Sequence, residues 1–219
     1  PVNPCKKVKR MGNSDSRSLN FWTLDEYKQF IQTMEPGTRY YLIFEMLFWT
    51  GCRIGELLAI TKADINFEKN QLSINKTYYR TGMQDIITEP KTKQSFRTIE
   101  IPEFLKEEIK EFVDGHYGMP DTERLFPVVQ EAVQHKMKRQ IELAGVKKIR
   151  VHDLRHSHVA YLIEKGVEPL LIRDRLGHKD IRITLNTYGH LYPNQQRKIA
   201  NLLDNENAVT GLGEERDEC

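Results

Sequence analysis

The first pattern along the chain is helical. From Thr23 the segment TLDEYKQFIQTM sets apolar residues at three- and four-residue spacing, and Thr23 with Glu26 three positions on forms a capping box. A helix therefore starts there, and Pro36-Gly37 closes it. RYYLIFEMLFWT, residues 39–50, is apolar on nearly every side, the pattern of a helix buried all round. Gly51 breaks it, and IGELLAI restarts a short helix beyond the turn that holds Arg53. The period then falls to two. INFEKNQLSINKTYYR reads as two short strands about a turn at 68–70, and FRTIEI, after the loop EPKTKQS, reads as a third. Pro102 opens an amphipathic helix, EFLKEEIKEFV. After a loop rich in Gly, Pro and Asp, a long helix near 129–144 ends at Gly145. Helices follow at 152–165, at 168–176, in a broken piece near 180–189, and in NQQRKIANLLD after Pro193. The fold class expected is α+β, mainly α: a helical domain with a small antiparallel three-stranded sheet inserted after its third helix.

Composition changes this picture at the two ends. The chain has 219 residues, 39% hydrophobic and 29% charged, enough for one domain with a sizeable core. Its net charge of +2 is unevenly spread. Residues 1–17 carry Lys6, Lys7, Lys9, Arg10 and Arg17 against Asp15, for +4, while residues 204–219 carry six acidic side chains against Arg216, for −5. Residues 1–20 read as a basic linker, 21–204 as the folded domain, and 205–219 as an acidic tail. The first residue is Pro rather than Met, which points to a fragment or processed piece. No run approaches the roughly 18 uncharged apolar residues of a membrane helix, and no signal peptide is visible. Cys5, Cys52 and Cys219 form no CxxC pair, so neither structural zinc nor a disulfide framework is expected, and a reducing setting fits.

Five places carry candidate chemistry, each beside a plainer reading. In TGCRIGEL (50–57), Arg53 sits on a short turn between two packed helices, rigidly placed as a phosphate clamp must be; otherwise it is a surface arginine pairing with Glu56. In HDLRHSHV (152–159), His152 and Arg155 project from one face of a helix's first turn, where free N–H groups and the dipole favour an anion. An imidazole and a guanidinium aimed at one spot make a phosphate site with a proton-transfer group. His152 and His156, four apart, invite a metal reading, but no HExxH pattern exists, and His156 and His158 read better as core histidines. In RLGHKDIRITLNTYGHLYP (175–193), Gly177 reads as a helix stop that leaves His178 exposed. Tyr188 follows in a segment whose Thr187, Gly189 and polar flanks suggest a mobile connection, although a tyrosine taken singly is a packing residue. In PKTKQSFRTIEI (90–101), Lys91 and Lys93 sit on a polar loop entering a strand, able to reach into a cleft or simply solvated. Between 134 and 155, Lys136, Lys138, Arg139, Lys147, Lys148, Arg150 and Arg155 face Glu142 and Asp153, for +5. That is a stripe suited to track a nucleic-acid backbone, or else a solvated helix face.

In chain order these residues run Arg, Lys, His-x-x-Arg, Gly-His, Tyr. With TGCRIGEL, LRH within HDLRHSHV, and LGHKDIRITLNTYGH as three boxes in register, the sequence resembles the catalytic domain of the tyrosine recombinases, the phage-integrase family, over roughly residues 20–204. A lone HxxR has little specificity; three boxes in order are highly specific. The resemblance implies the family's catalytic fold over 21–204, with 1–20 as the linker from an N-terminal DNA-binding domain outside this chain, and a transesterification at a DNA phosphodiester with neither metal nor other cofactor. Tyr188 would attack the scissile phosphate, leaving a 3′-phosphotyrosyl link and a free 5′-hydroxyl. Arg53 and Arg155 would grip non-bridging oxygens, His152 would assist proton transfer, and His178 would donate a hydrogen bond to the phosphoryl group. Lys91, favoured over Lys93, would be the general acid for the departing 5′-oxygen, and Glu56 would fix the direction of Arg53.

The implied partners are double-stranded DNA attachment sites and three further copies of the chain, in a homo-tetramer joined through the C-terminal helix. Ile199, Leu202 and Leu203 lie on one side of that helix, whose alternative is packing in cis. Accessory DNA-bending or directionality proteins are further candidates, no membrane is involved, and the bacterial cytoplasm or nucleoid is the expected location. A type IB topoisomerase shares this chemistry but acts alone on one strand; the LGH box and compact length favour the recombinase. A non-catalytic DNA-binding protein would leave the polar set without a role, and a metal-dependent nuclease would lose its activity in EDTA.

Overall fold

Thr23 starts the first helix as its sequence requires: its hydroxyl accepts from the Glu26 N–H at 3.2 Å, and the Glu26 carboxylate accepts from the Thr23 N–H at 2.8 Å. The computed structural model describes residues 20–89, 96–116, 118, 120–191, 200–201 and 203–206. In chain order the helices are α1 (Leu24–Ile31), α2 (Arg39–Thr50), α3 (Ile54–Leu57), α4 (Glu103–Asp114), α5 (Gln130–Ala144), α6 (Asp153–Glu164), α7 (Pro169–Leu176) and α8 (Ile181–Tyr188). A 3-10 turn, Gly189–Leu191, follows α8. Between α3 and α4 lie the strands β1 (Ile65–Asn66), β2 (Gln71–Ile74), β3 (Thr77–Thr81), β4 (Gln84–Thr88) and β5 (Arg97–Glu100). Among the described residues no helix is long and apolar enough to cross a membrane.

α2 is the central element. Leu42, Ile43, Phe44, Met46, Leu47 and Phe48 are all buried, as its uniform apolarity requires, and it packs on α6 and α4. Aromatic rings knit it to α1: Tyr27 stacks on Phe48 at 3.7 Å between centroids, and Phe30 meets Phe44 edge-on at 5.0 Å. Trp22 ties the start of the described chain to the far end of the fold, donating its backbone N–H to Ser157 Oγ and its indole N–H to the Lys147 carbonyl.

The expected three-stranded sheet is present, antiparallel in the order β1-β2-β5, with Leu72 opposite both Ile65 and Ile99. Asn70 closes its first turn at φ 53°, a left-handed conformation that asparagine tolerates. A second, two-stranded sheet departs from expectation. Thr77–Thr81 leaves the main sheet and pairs with Gln84–Thr88 across a turn at Gly82. Neither strand has a cleanly buried face, so the pair lacks the alternation that marks a half-buried strand. The segment 90–95, which carries both candidate lysines, lies outside the described residues, as do 1–19, most of NQQRKIANLLD, and 207–219. A smaller apolar cluster of Val159, Ile163, Ile172, Leu176 and Tyr188 joins α6, α7 and α8 beside the main core.

Candidate active site

The site begins at the stop of α2. Gly51 takes φ 66°, and a Cβ placed there would lie 2.5 Å from His158 Cδ2, so both the backbone and the neighbouring ring demand glycine. The carbonyl of Gly51 accepts from Arg155 Nη1 at 2.7 Å, and the carbonyl of Leu176 accepts from Arg155 Nη2 at 2.8 Å. These oxygens end α2 and α7, the negative poles of two helices. Arg155 is only 3% exposed, and burial, followed by the Arg53 charge, lowers its pKa to about 9. Among the described residues, carbonyl dipoles rather than a carboxylate hydrogen-bond this buried cation, which leaves its positive field available to an anion.

Arg53 is the N-cap of α3 in extended conformation. Its backbone N–H and its Nη1 both donate to the Glu56 carboxylate, each at 2.8 Å. Glu56 is buried and is also gripped in bidentate fashion by Arg97 of β5, at 2.8 and 3.2 Å. Burial alone would raise the Glu56 pKa, but the Arg97 and Arg53 hydrogen bonds and charges outweigh it and hold the carboxyl at about 2. Arg97 Nε reaches the Arg175 carbonyl at 2.8 Å, so one guanidinium joins β5, the Arg53 turn and the end of α7. Sequence reasoning passes over Arg97; its sole signal there is a charged residue at the inward end of a strand.

The three histidines of α6 part company. His152, at the N-cap, is exposed, and crowding by surrounding protein followed by the Arg155 charge lowers its pKa. His158 is buried, accepts at Nε2 from Arg175 Nε at 3.1 Å, and burial drives its pKa down to about 3; it is the core histidine expected. His156 is not one. Its Nδ1 lies 2.6 Å from the Tyr188 hydroxyl, and its ring meets that of His152 edge-on at 5.2 Å.

Tyr188 and His178 also correct expectation. Tyr188 ends α8 rather than riding on a loose connection, and is 2% exposed because α8 closes on α7 over the Leu176 cluster. Burial raises its pKa to about 12, with Arg155 pulling the other way. His178 follows the left-handed Gly177 as read, but it is half-buried, with Nδ1 2.9 Å from the hydroxyl of buried Thr184 on α8. Burial, then the charges of Arg155, Arg53 and Arg97, take its pKa to about 4. Arg53, His152, Arg155, His178 and Tyr188 thus share one electrostatic neighbourhood: Arg155 feels Arg53 and Tyr188, His152 feels Arg155 and Arg53, and His178 feels both arginines.

The basic stripe divides. Lys138, Lys148 and Arg150 line a groove of about 670 Å³ with Gln130, Gln134 and His152, alongside Ile54 of the Arg53 turn. Lys136 turns toward the Tyr40 ring at 5.8 Å and Lys147 toward the Phe21 ring at 5.8 Å, while Arg139 is exposed on α5 away from that lining. The helical twist between positions 136, 138 and 139 is what separates them.

Residues 20–195 match the profile of the Phage integrase family. The chain is 32% identical over 216 residues to the ICEBs1 integrase of Bacillus subtilis (strain 168), an alignment covering 92% of this chain and 58% of that protein. It is 28% identical over 233 residues to a tyrosine recombinase XerC-like protein of Caldanaerobacter subterraneus subsp. tengcongensis, covering 92% and 59%. The chain therefore spans less than two thirds of the length of these relatives. Among solved structures, the Tn1549 transposon integrase in complex with a circular intermediate DNA shares the fold at TM-score 0.72 and 20% identity, covering 89% of this chain and 68% of that one. The catalytic domain of bacteriophage HP1 integrase does so at TM-score 0.57 and 18% identity, covering 88% and 94%. A profile match across most of its length, and a relative above 30% identity along nearly all of it, establish that this chain belongs to the phage integrase family.

Proposed function

We propose that the chain is the catalytic part of a site-specific DNA recombinase that cuts and rejoins DNA through a 3′-phosphotyrosyl intermediate, integrating and excising a phage or other mobile element. The observation that carries this reading is the position of the Tyr188 hydroxyl. It is held by His156 within the field of a buried Arg155 whose hydrogen bonds, among the described residues, go to backbone carbonyls.

A phosphodiester placed here would meet Arg155 from α6 and Arg53 from the α3 turn, each gripping a non-bridging oxygen. Their charge stabilises the negative phosphorane as Tyr188 adds to phosphorus, the effect that contributes most to lowering the barrier of phosphoryl transfer. Glu56 and Arg97 keep Arg53 from swinging away. His152 and His178, both neutral near pH 7, are suited to donate hydrogen bonds to the phosphoryl group. Lys91 is the proposed general acid for the 5′-oxygen. The anchoring of Arg97 on Glu56 supports this, because it holds the strand that follows the lysine loop against the site. The phosphotyrosyl ester conserves the energy of the broken bond, so a second strand's 5′-hydroxyl can reverse the step without ATP.

The groove lined by Lys138, Lys148 and Arg150 would carry the DNA backbone up to that phosphate, with Lys136, Arg139 and Lys147 as outlying contacts. Assembly as a homo-tetramer through the C-terminal helix, and action in the bacterial cytoplasm or nucleoid with accessory proteins, complete the proposal. Leu203 of that helix is 60% exposed, available to a neighbour. The testing experiment is a nicked suicide duplex carrying the element's junction sequence, incubated with the full-length protein in EDTA. An SDS-resistant protein–DNA adduct is expected. Its absence, or its persistence in Tyr188→Phe, overturns the reading.

A further inference from the structure

The family boxes put the proton-transfer role on His152, yet the imidazole in contact with the tyrosine oxygen is that of His156. His156 lies one turn further along α6, and its Nδ1 is 2.6 Å from Tyr188 Oη, within normal hydrogen-bond length for O–H to N. The two rings are tilted by 54° with centroids 5.6 Å apart, so they meet through this hydrogen bond rather than by stacking. Tyr188 arrives from α8, and Val159, Ile163, Ile172 and Leu176 fix the body of its ring, so its oxygen is directed by packing onto His156. The geometry points to His156 as the proton acceptor that activates Tyr188 for attack on phosphorus. This rests on the recombinase reading and deepens it.

The direction of the hydrogen bond follows from chemistry. A buried phenol keeps its proton at neutral pH, and the imidazole, lowered chiefly by burial, is neutral, so Oη donates and Nδ1 accepts. His156 is then the Nε2–H tautomer. His152, Asp153, Arg155 and Arg150 face it from its own end of α6, and His178 and Tyr188 from the other side. Asp153 favours an imidazolium here, while His152 and Arg155 disfavour it. Such a base takes the proton transiently and gives it back, which suits a reversible strand exchange.

In the attack, the proton moves from Tyr188 Oη to His156 Nδ1, and the oxygen's electron pair forms the O–P bond. The P–O5′ bond breaks with its electrons on O5′, which takes a proton from the general acid, Lys91 in the proposed mechanism, and leaves as the 5′-hydroxyl. On religation the incoming 5′-hydroxyl gives its proton to the now neutral general acid as its oxygen attacks phosphorus, the P–O bond to Tyr188 breaks, and the imidazolium returns its proton to the departing phenolate. His152 is thereby left to the phosphoryl group.

The test measures single-turnover adduct formation on the suicide duplex by wild type, His156→Ala and His156→Gln, together with DNA affinity. Both variants are expected to form adduct ~10² to 10⁴-fold more slowly, the usual worth of a general base, with unchanged affinity. Added imidazole should restore part of the His156→Ala rate. A sulfur at the bridging 5′ position needs no protonation to leave. It should rescue Lys91→Ala and leave the His156→Ala defect intact. A wild-type rate in His156→Ala overturns the inference, as does rescue of that variant by the sulfur substrate, which would make His156 the acid. Nitrogen-15 NMR of the unmutated protein gives a readout independent of variant folding: Nδ1 should be unprotonated, Nε2 protonated, and both should shift in Tyr188→Phe. An Nδ1–H tautomer overturns the inference. A wild-type protein that forms no adduct overturns the recombinase reading, and this inference with it, whereas the other adverse outcomes sink the inference alone.

Discussion

Arg155 of α6 hydrogen-bonds the carbonyl of Gly51, 104 residues earlier, at 2.7 Å. The bond fixes two arginines at once, because the turn that ends in Gly51 is the turn that presents Arg53.

Gly51→Ala tests that arrangement. The substitution places a Cβ on a left-handed residue and against the His158 ring. A loss of about 1–3 kcal/mol is expected, read as a lower urea midpoint at constant slope. Adduct formation should fall by more than stability alone accounts for, because the acceptor of Arg155 moves.

Arg155→Ala should slow adduct formation by at least ~10²-fold while DNA affinity falls far less, since the guanidinium acts mainly on charge that develops during attack. Equal losses in rate and affinity would make Arg155 an ordinary phosphate anchor.

Acid stability follows from two kinds of group. Glu56 has its pKa depressed to about 2 from an ordinary 4.5, so its contribution is whole above 4.5 and is lost as pH falls from there toward 2. His158 and His178, lowered from 6.5 to about 3 and about 4, are held neutral in the folded state. Below pH 6.5 the unfolded chain binds protons that these folded sites refuse, so stability declines with acidity from that point. Urea midpoints should drop progressively below pH 6.5, and Glu56→Gln should flatten the part of the curve below pH 4.5.

The split of the basic stripe is testable through salt. Replacing Lys138, Lys148 and Arg150 together by Ala should reduce the slope of log affinity against log salt by about 0.9 for each phosphate no longer neutralised. Replacing Lys136, Arg139 and Lys147 together should change it less. Equal slopes for the two triple variants would mean that the groove is not the DNA track.

Much of the fold is legible because its signals are local. The capping box at Thr23, the left-handed glycines at 51, 145 and 177, and the uniform apolarity of 39–50 each act within a few residues, and each appears where expected. The hairpin of β3 and β4 is not legible, because apart from buried Tyr78 its positions are partly or fully exposed and so carry no period-two signal. His156 is misjudged for a related reason: a histidine on a buried helix looks alike in sequence whether it faces a core or a hydroxyl. Tyr188 is expected on a loose segment because Thr187 and Gly189 resist helix by propensity, and packing of α8 on α7 overrides them.

The amino-acid sequence by itself determined helices α1 to α7, the three-stranded sheet and the order of the family's boxes, since caps, periods and motif spacing are short-range properties. The tertiary structure alone decided which side chains meet. His156 reaches Tyr188 across 32 positions, Arg97 shares Glu56 with Arg53 across 41, and Arg155 spans 104 to Gly51. Those meetings depend on how whole helices pack, and local spacing holds no record of a distance that packing sets.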